Sequence, residues 1–292
     1  MKKPTKDHFV PQFYLQQFCC DNNENEVPCF SDAGPFLVLK NQSISSIGYE
    51  YDIYTFSNER IHISVDQYNN PEFETPFTQT DAWKHISTGQ LGSLSECHML
   101  HLYLLVRHLL SRSPEKLKIM EACCADAMSE SPEQEYTPEE IDMYTHMSDL
   151  PGGVTQYFLE NINDIDVFMS EYHNASIAVY ESPIPLRTSM YPVVATSADQ
   201  DSHRSYWLPI SRYHGVLLLI SNGLSEFGGV RQLSLDCARN YNRLFMTQLW
   251  RSVRARHVIC NDEYIQEDIA WAGMSPEPGN PKRFRRPEVE AV

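Results

Sequence analysis

Met99-Leu-His-Leu-Tyr-Leu-Leu-Val-Arg-His-Leu-Leu110 is apolar on most sides, which marks a helix inside the fold rather than one laid on its surface. Ser93-x-x-Glu96, just ahead of it, has the spacing of a capping box, so the helix start is expected there. Arg112-Ser-Pro114 ends it. Ser113 suits an N-cap and Pro114 the first position of a following helix, which puts Arg112 at a helix–helix corner. Thr137-Pro-Glu-Glu140 repeats the start signal, and Pro151-Gly-Gly153 is the best internal boundary.

Outward from this helical middle, both flanks read as strands. Toward the N-terminus, Phe36-Leu-Val-Leu39 is a compact apolar run, and Tyr49/Tyr51/Ile53 and Ile61/Ile63/Val65 alternate, so short strands are expected over 27–65. Toward the C-terminus, strands are expected at 167–170, 176–180, 191–196, 206–210 and 215–221, followed by a long helix over about Leu233–Val258. Strands, then helices, then strands and a closing helix argue for an α+β fold: short N-terminal strands, a helical middle and a C-terminal antiparallel sheet closed by a long helix. The expected organisation is 1–150 and 151–274, packed as one unit, with a proline-rich, disordered tail over 275–292. No internal repeat is present.

Composition narrows the class. A chain of 292 residues with 42% hydrophobic and 21% charged residues is ordinary for a globular protein. No apolar run is long enough for a membrane span, and Met1-Lys-Lys-Pro-Thr-Lys-Asp7 is not followed by the apolar stretch of a signal peptide, so a cytoplasmic location is expected. The eight cysteines form no Cys-x-x-Cys, which disfavours zinc and disulfide frameworks alike. The net charge of −16 is uneven: 113–150 holds two basic against ten acidic residues, whereas 231–257 holds six arginines against Asp236 alone. Such a protein is a poor general nucleic-acid binder, although a local arginine face still suits a phosphate or an acidic partner.

The opening run His8-Phe-Val-Pro-Gln-Phe-Tyr-Leu-Gln-Gln-Phe18 begins with proline at a good first helical position and places Val10, Tyr14 and Phe18 at four-residue spacing, the pattern of a short amphipathic helix. It resembles the opening motif of the family called domain of unknown function 4238. Looser resemblances to that family follow at Leu109-Leu-Ser-Arg-Ser-Pro114, at Arg187-Thr-Ser-Met-Tyr-Pro-Val193 with Trp207-Leu-Pro-Ile-Ser211, and at Asn240-Tyr-Asn-Arg243. Where the family pattern has Asp-Asn, this chain has Met190-Tyr191. The resemblance implies a fold and no activity.

Several residues suit chemistry. His8 stands before a helix start, where an acid, base or phosphate contact is well placed beside Gln12; the plainer reading is a histidine that fixes the chain's entry into the fold. Arg112 suits a ligand contact, and equally a bond to the carbonyls ending its own helix. On the closing helix, Arg239, Arg243, Arg254 and His257 share a face, while Asn242 falls on the apolar side, where it is expected to pin a neighbouring loop or orient a ligand. The arginine face also suits an internal match with the acidic 113–150 region. Arg251-Ser-Val-Arg-Ala-Arg-His257 fits the Arg-x(4–6)-His spacing of the helical ribonucleases called HEPN domains, where arginine holds phosphate and histidine moves a proton. His98, His101 and His108 share one side of the central helix without a metal-site spacing, and Asp199, Asp201 and His203 fall in a loop.

Two functional classes stay open. The favoured one is an intracellular interaction or binding protein using a charged surface, whose partner is a protein or a phosphate-containing ligand. Its candidate ligand residues are Gln12, Asn242, Arg239 and Arg243. The other is an enzyme acting on a phosphate-containing substrate, a metal-independent ribonuclease included, using His8, Arg112, Arg251 and His257. Neither reading calls for a metal, a cofactor or a membrane.

Overall fold

The computed structural model describes residues 6–19, 23–34, 36–51, 56–57, 62–63, 70–149, 153–154, 157, 165–196, 204–221, 226–249, 256–260 and 262–285. Its helices and its antiparallel and mixed sheets make an α+β fold. The strands in chain order are β1 (Lys6–His8), β2 (Glu26–Ala33), β3 (Phe36–Ser43), β4 (Tyr49–Tyr51), β5 (Phe56–Ser57), β6 (His62–Ile63), β7 (Ala175–Glu181), β8 (Thr188–Ser189), β9 (Val194–Ala195), β10 (Arg204–Ser211), β11 (His214–Ile220), β12 (Glu226–Gln232), β13 (His257–Ile259), β14 (Ser275–Glu277) and β15 (Asn280–Arg285).

The helical middle follows its expected breaks. The central helix runs Met99–Ser111 and the next begins at Pro114. The cap lies two residues later than Ser93 and Glu96 suggest: the Ser95 amide donates to His98 Nδ1 at 3.1 Å. At the following start, Thr137 and Glu140 cap each other, the Thr137 amide reaching Glu140 Oε2 at 2.8 Å and the Glu140 amide reaching Thr137 Oγ1 at 3.2 Å. Pro151 and Gly152 of the expected boundary lie outside the described residues.

A five-stranded sheet, ordered β12-β7-β11-β10-β9, divides the two hydrophobic clusters. Alternation along its strands sends Ile177, Val179, Leu208, Val216 and Leu218 to the cluster containing the central helix. The other face sends Trp207, with Leu217 and Tyr180 against it, to the cluster containing the closing helix. Trp207 stacks on Tyr241 of that helix with centroids 4.1 Å apart. Its indole also lies over Gly215, where an added Cβ would meet the ring at 2.3 Å, so the strand needs glycine there.

Five expectations are corrected. The C-terminal sheet is mixed rather than antiparallel, because β12 runs parallel to β7. Residues 167–170 fall in a helix, Ile165–Tyr172. Of 191–196, only Val194 and Ala195 are strand, since Pro192 has no amide to donate to a ladder. The closing helix is short, Leu235–Thr247, and His257 and Val258 lie on β13. The expected tail is ordered through Arg285: β14 and β15 form a hairpin on the edge of a six-stranded sheet, β14-β15-β3-β2-β13-β8, with Phe284 buried against Phe30. A further helix, Ile265–Trp271, has no counterpart in the sequence reading.

Candidate functional site

The opening run passes from strand to helix within a few residues. His8 ends β1 opposite Tyr49 of β4, and the amides of Phe9 and Val10 both donate to the Gly48 carbonyl, at 2.9 and 3.2 Å. Gly48 has a φ of +70°, which lets its carbonyl face the turn. A helix of Gln12–Leu15 and a 3-10 turn of Gln16–Phe18 follow, burying Tyr14, Leu15 and Phe18. The Tyr14 hydroxyl donates to the Pro209 carbonyl at 2.7 Å and lies 2.7 Å from Thr188 Oγ1. This run therefore anchors the crossing between the sheets.

Arg112 is fully buried at the end of the central helix. One guanidinium nitrogen donates to Glu74 and lies 3.1 Å from His108 Nε2, and another donates to the backbone carbonyl of His8. His108 in turn stacks on Phe73, 4.0 Å between centroids. Glu74 closes a π-helical turn, Asn70–Glu74, a rare backbone form that is frequent at functional sites. One buried arginine thus fixes both the strand bearing His8 and the turn bearing Glu74.

Between those two elements lies a polar cavity of about 350 Å³ lined by His8, Pro11, Gln12, Phe13, Glu74, Thr75 and Thr78. Gln12 Nε2 stands 3.4 Å from His8 Nε2. The wall offers an imidazole, an amide, a carboxylate and two hydroxyls. Glu74, Thr75 and Thr78 escaped the sequence reading, because their only signal was proline after threonine at a helix start. Among the described residues, no group of three or more His, Cys, Asp or Glu side chains is placed to hold a metal ion.

The remaining candidates lie elsewhere. Asn242 is buried and pins a loop: its Oδ1 accepts from the Arg187 amide at 2.8 Å and its Nδ2 donates to the Pro185 carbonyl at 3.0 Å. Arg187 makes a two-pronged pair with Asp262 at 2.7 and 2.7 Å and reaches Asp268 at 2.9 Å, all three side chains fully buried. Arg243 meets Asp268 at 2.9 Å and Arg239 meets Glu267 at 2.6 Å. These two arginines are thus matched by the Ile265–Trp271 helix and not by the acidic 113–150 region.

His257 places its Nδ1 3.2 Å from Ser31 Oγ on β2. Burial, then the nearby Lys40 and Arg256 charges, push its pKa down from 6.5 to about 4, with Asp32 opposing them, so the ring is neutral at pH 7. Arg251, its expected partner, lies outside the described residues, as do Arg254, Asp199, Asp201 and His203. Met190 and Tyr191 line both a cleft beside His257 and a larger apolar one.

Residues 6–83 match the model of a family described as Protein of unknown function (DUF4238). The matched segment includes the opening run and every described residue lining the His8 cavity, and it ends before Arg112. No curated protein and no solved structure matches the chain.

Proposed function

We propose that this protein binds a small polar ligand in the cavity headed by His8, Gln12 and Glu74. The observation that carries this reading is the buried Arg112, which ties the strand bearing His8 to the π-helical turn bearing Glu74. A fully buried charge stabilises a fold less than an apolar residue of similar size, so a buried ion pair at a cavity wall suggests a role in shaping it. Arg112 already faces Glu74, and the lining carboxylate suits a ligand rich in hydroxyl, amide or amine donors better than a phosphate. The arginine face of the closing helix supports recognition less well, because Arg239 and Arg243 are already paired with Glu267 and Asp268.

Native mass spectrometry of freshly purified protein tests this. A small-molecule adduct is expected on the wild type and is expected to diminish in His8→Ala and Gln12→Ala. An adduct carried equally by both variants would place recognition elsewhere.

Catalysis is the second reading, favoured because an imidazole and a carboxylate face one cavity, as general acid–base chemistry requires. RNA cleavage by the purified protein, lost in His8→Ala and kept in His257→Ala, would favour it over binding alone. Loss in His257→Ala instead would point to the cleft beside β13.

A further inference from the structure

β8 is an outer strand of the six-stranded sheet and β9 an outer strand of the five-stranded one. Residues 190–193 carry the chain from one to the other. Beside this crossing lies a cleft of about 420 Å³, within the size range of small-molecule sites. The end of the central helix supplies Leu109 and Leu110, the next helix Lys116, and the end of the closing helix Leu244, Thr247 and Gln248.

The charge of this lining departs from that of the molecule. In a protein of net charge −16, none of the fourteen described lining residues is acidic, and the exposed Lys116 is the one cation among them. Two of the lining's other polar side chains already serve the fold. Gln248 Nε2 donates to the Tyr191 carbonyl at 3.2 Å and its Oε1 accepts from Ser189 Oγ. Thr247 Oγ1 donates to the Leu244 carbonyl at 2.7 Å. What remains for a ligand is a mostly hydrophobic wall that includes Ser113 and Tyr191, together with one ammonium group. We propose that the cleft is a second binding site, for a small amphipathic carboxylate whose apolar body fills the cavity and whose head meets Lys116.

The site shares no described lining residue with the His8 cavity, so it stands or falls independently of the function proposed above. Octanoate, titrated calorimetrically into the full chain, is the probe, with octanamide as its uncharged counterpart. One octanoate is expected to bind per chain, and Lys116→Glu is expected to weaken it about tenfold or more, the scale of a charge-assisted contact. Octanamide should bind wild type and Lys116→Glu alike, Leu244→Trp should block both ligands by filling the cavity, and His8→Ala should change neither. Lys116 is exposed, so its substitution tests the idea even if Leu244→Trp fails to fold. No octanoate binding by the wild type, or undiminished binding in Lys116→Glu, overturns the proposal. So does a wild-type dimer broken by Leu244→Trp, which would make a second copy the occupant.

Discussion

At the scale of single residues, charge burial separates groups that shape a site from groups that merely occupy one. Arg112 is fully buried with Glu74 and the His8 carbonyl as acceptors. Removing one partner of such a pair strands the other charge, which costs about 3–5 kcal/mol. Arg112→Met should therefore lower stability by that amount in urea titrations, and the double variant Arg112→Met/Glu74→Gln should recover part of it. No recovery would mean that the His8 carbonyl, rather than Glu74, is what Arg112 chiefly holds. His257 makes a second residue-scale prediction. Unfolding frees an imidazole that takes up a proton below pH 6.5, whereas the folded ring resists until about pH 4. That share of stability is whole above pH 6.5 and is lost as the pH falls toward 4, at most about 3 kcal/mol. Comparing urea midpoints at pH 5 and pH 7, His257→Asn should show a smaller drop than the wild type. Equal drops would mean that the ring is protonated before the protein unfolds.

At the scale of elements, what could be read in the sequence is what depends on neighbours along the chain. The central helix, the Pro114 start and the Thr137/Glu140 cap follow from local spacing, and all appear in the fold. Arginines and alanine at 251–256 favour a helix locally, so the sequence predicts a closing helix that runs on past Thr247. Val258 and Ile259 instead pair with Phe30 and Cys29 on β2, partners more than two hundred residues away that no local pattern announces. The His8 cavity shows the same limit: His8 and Gln12 stood out in the sequence, but Glu74 reaches them through Arg112, a contact across separate elements. Asn242, by contrast, revealed itself by falling on an apolar helix face, and its two bonds hold the loop ahead of Thr188. Asn242→Ala would leave the buried Arg187 amide without an acceptor, at a cost of about 1–3 kcal/mol. Hydrogen exchange should show faster exchange at the Arg187 amide than in the wild type. Unchanged exchange there would mean that another group replaces the amide oxygen.

At the scale of the whole molecule, one sheet collects strands from distant parts of the chain. β2 and β3 come from the first fifty residues, β8 from the crossing, and β13, β14 and β15 from the last forty. Its closing hairpin seats Phe284 on Phe30, with ring centroids 5.4 Å apart, and pairs β15 with β3. A segment that reads as a proline-rich tail thus fills a position in the second hydrophobic cluster. Pro276 suits β14, the outer strand, where one side needs no ladder partner. Phe284→Ala should remove about 3–5 kcal/mol, the usual cost of emptying a buried phenylalanine site. The expectation that the two halves of the chain pack as one unit makes a sharper demand. The loss should then speed global-opening exchange at Leu102 and Val106 of the central helix, in the first cluster, as much as at Phe30. Exchange accelerated at Phe30 while Leu102 and Val106 keep wild-type protection would mean that the clusters open separately, and that the sheet between them is a seam rather than a shared core.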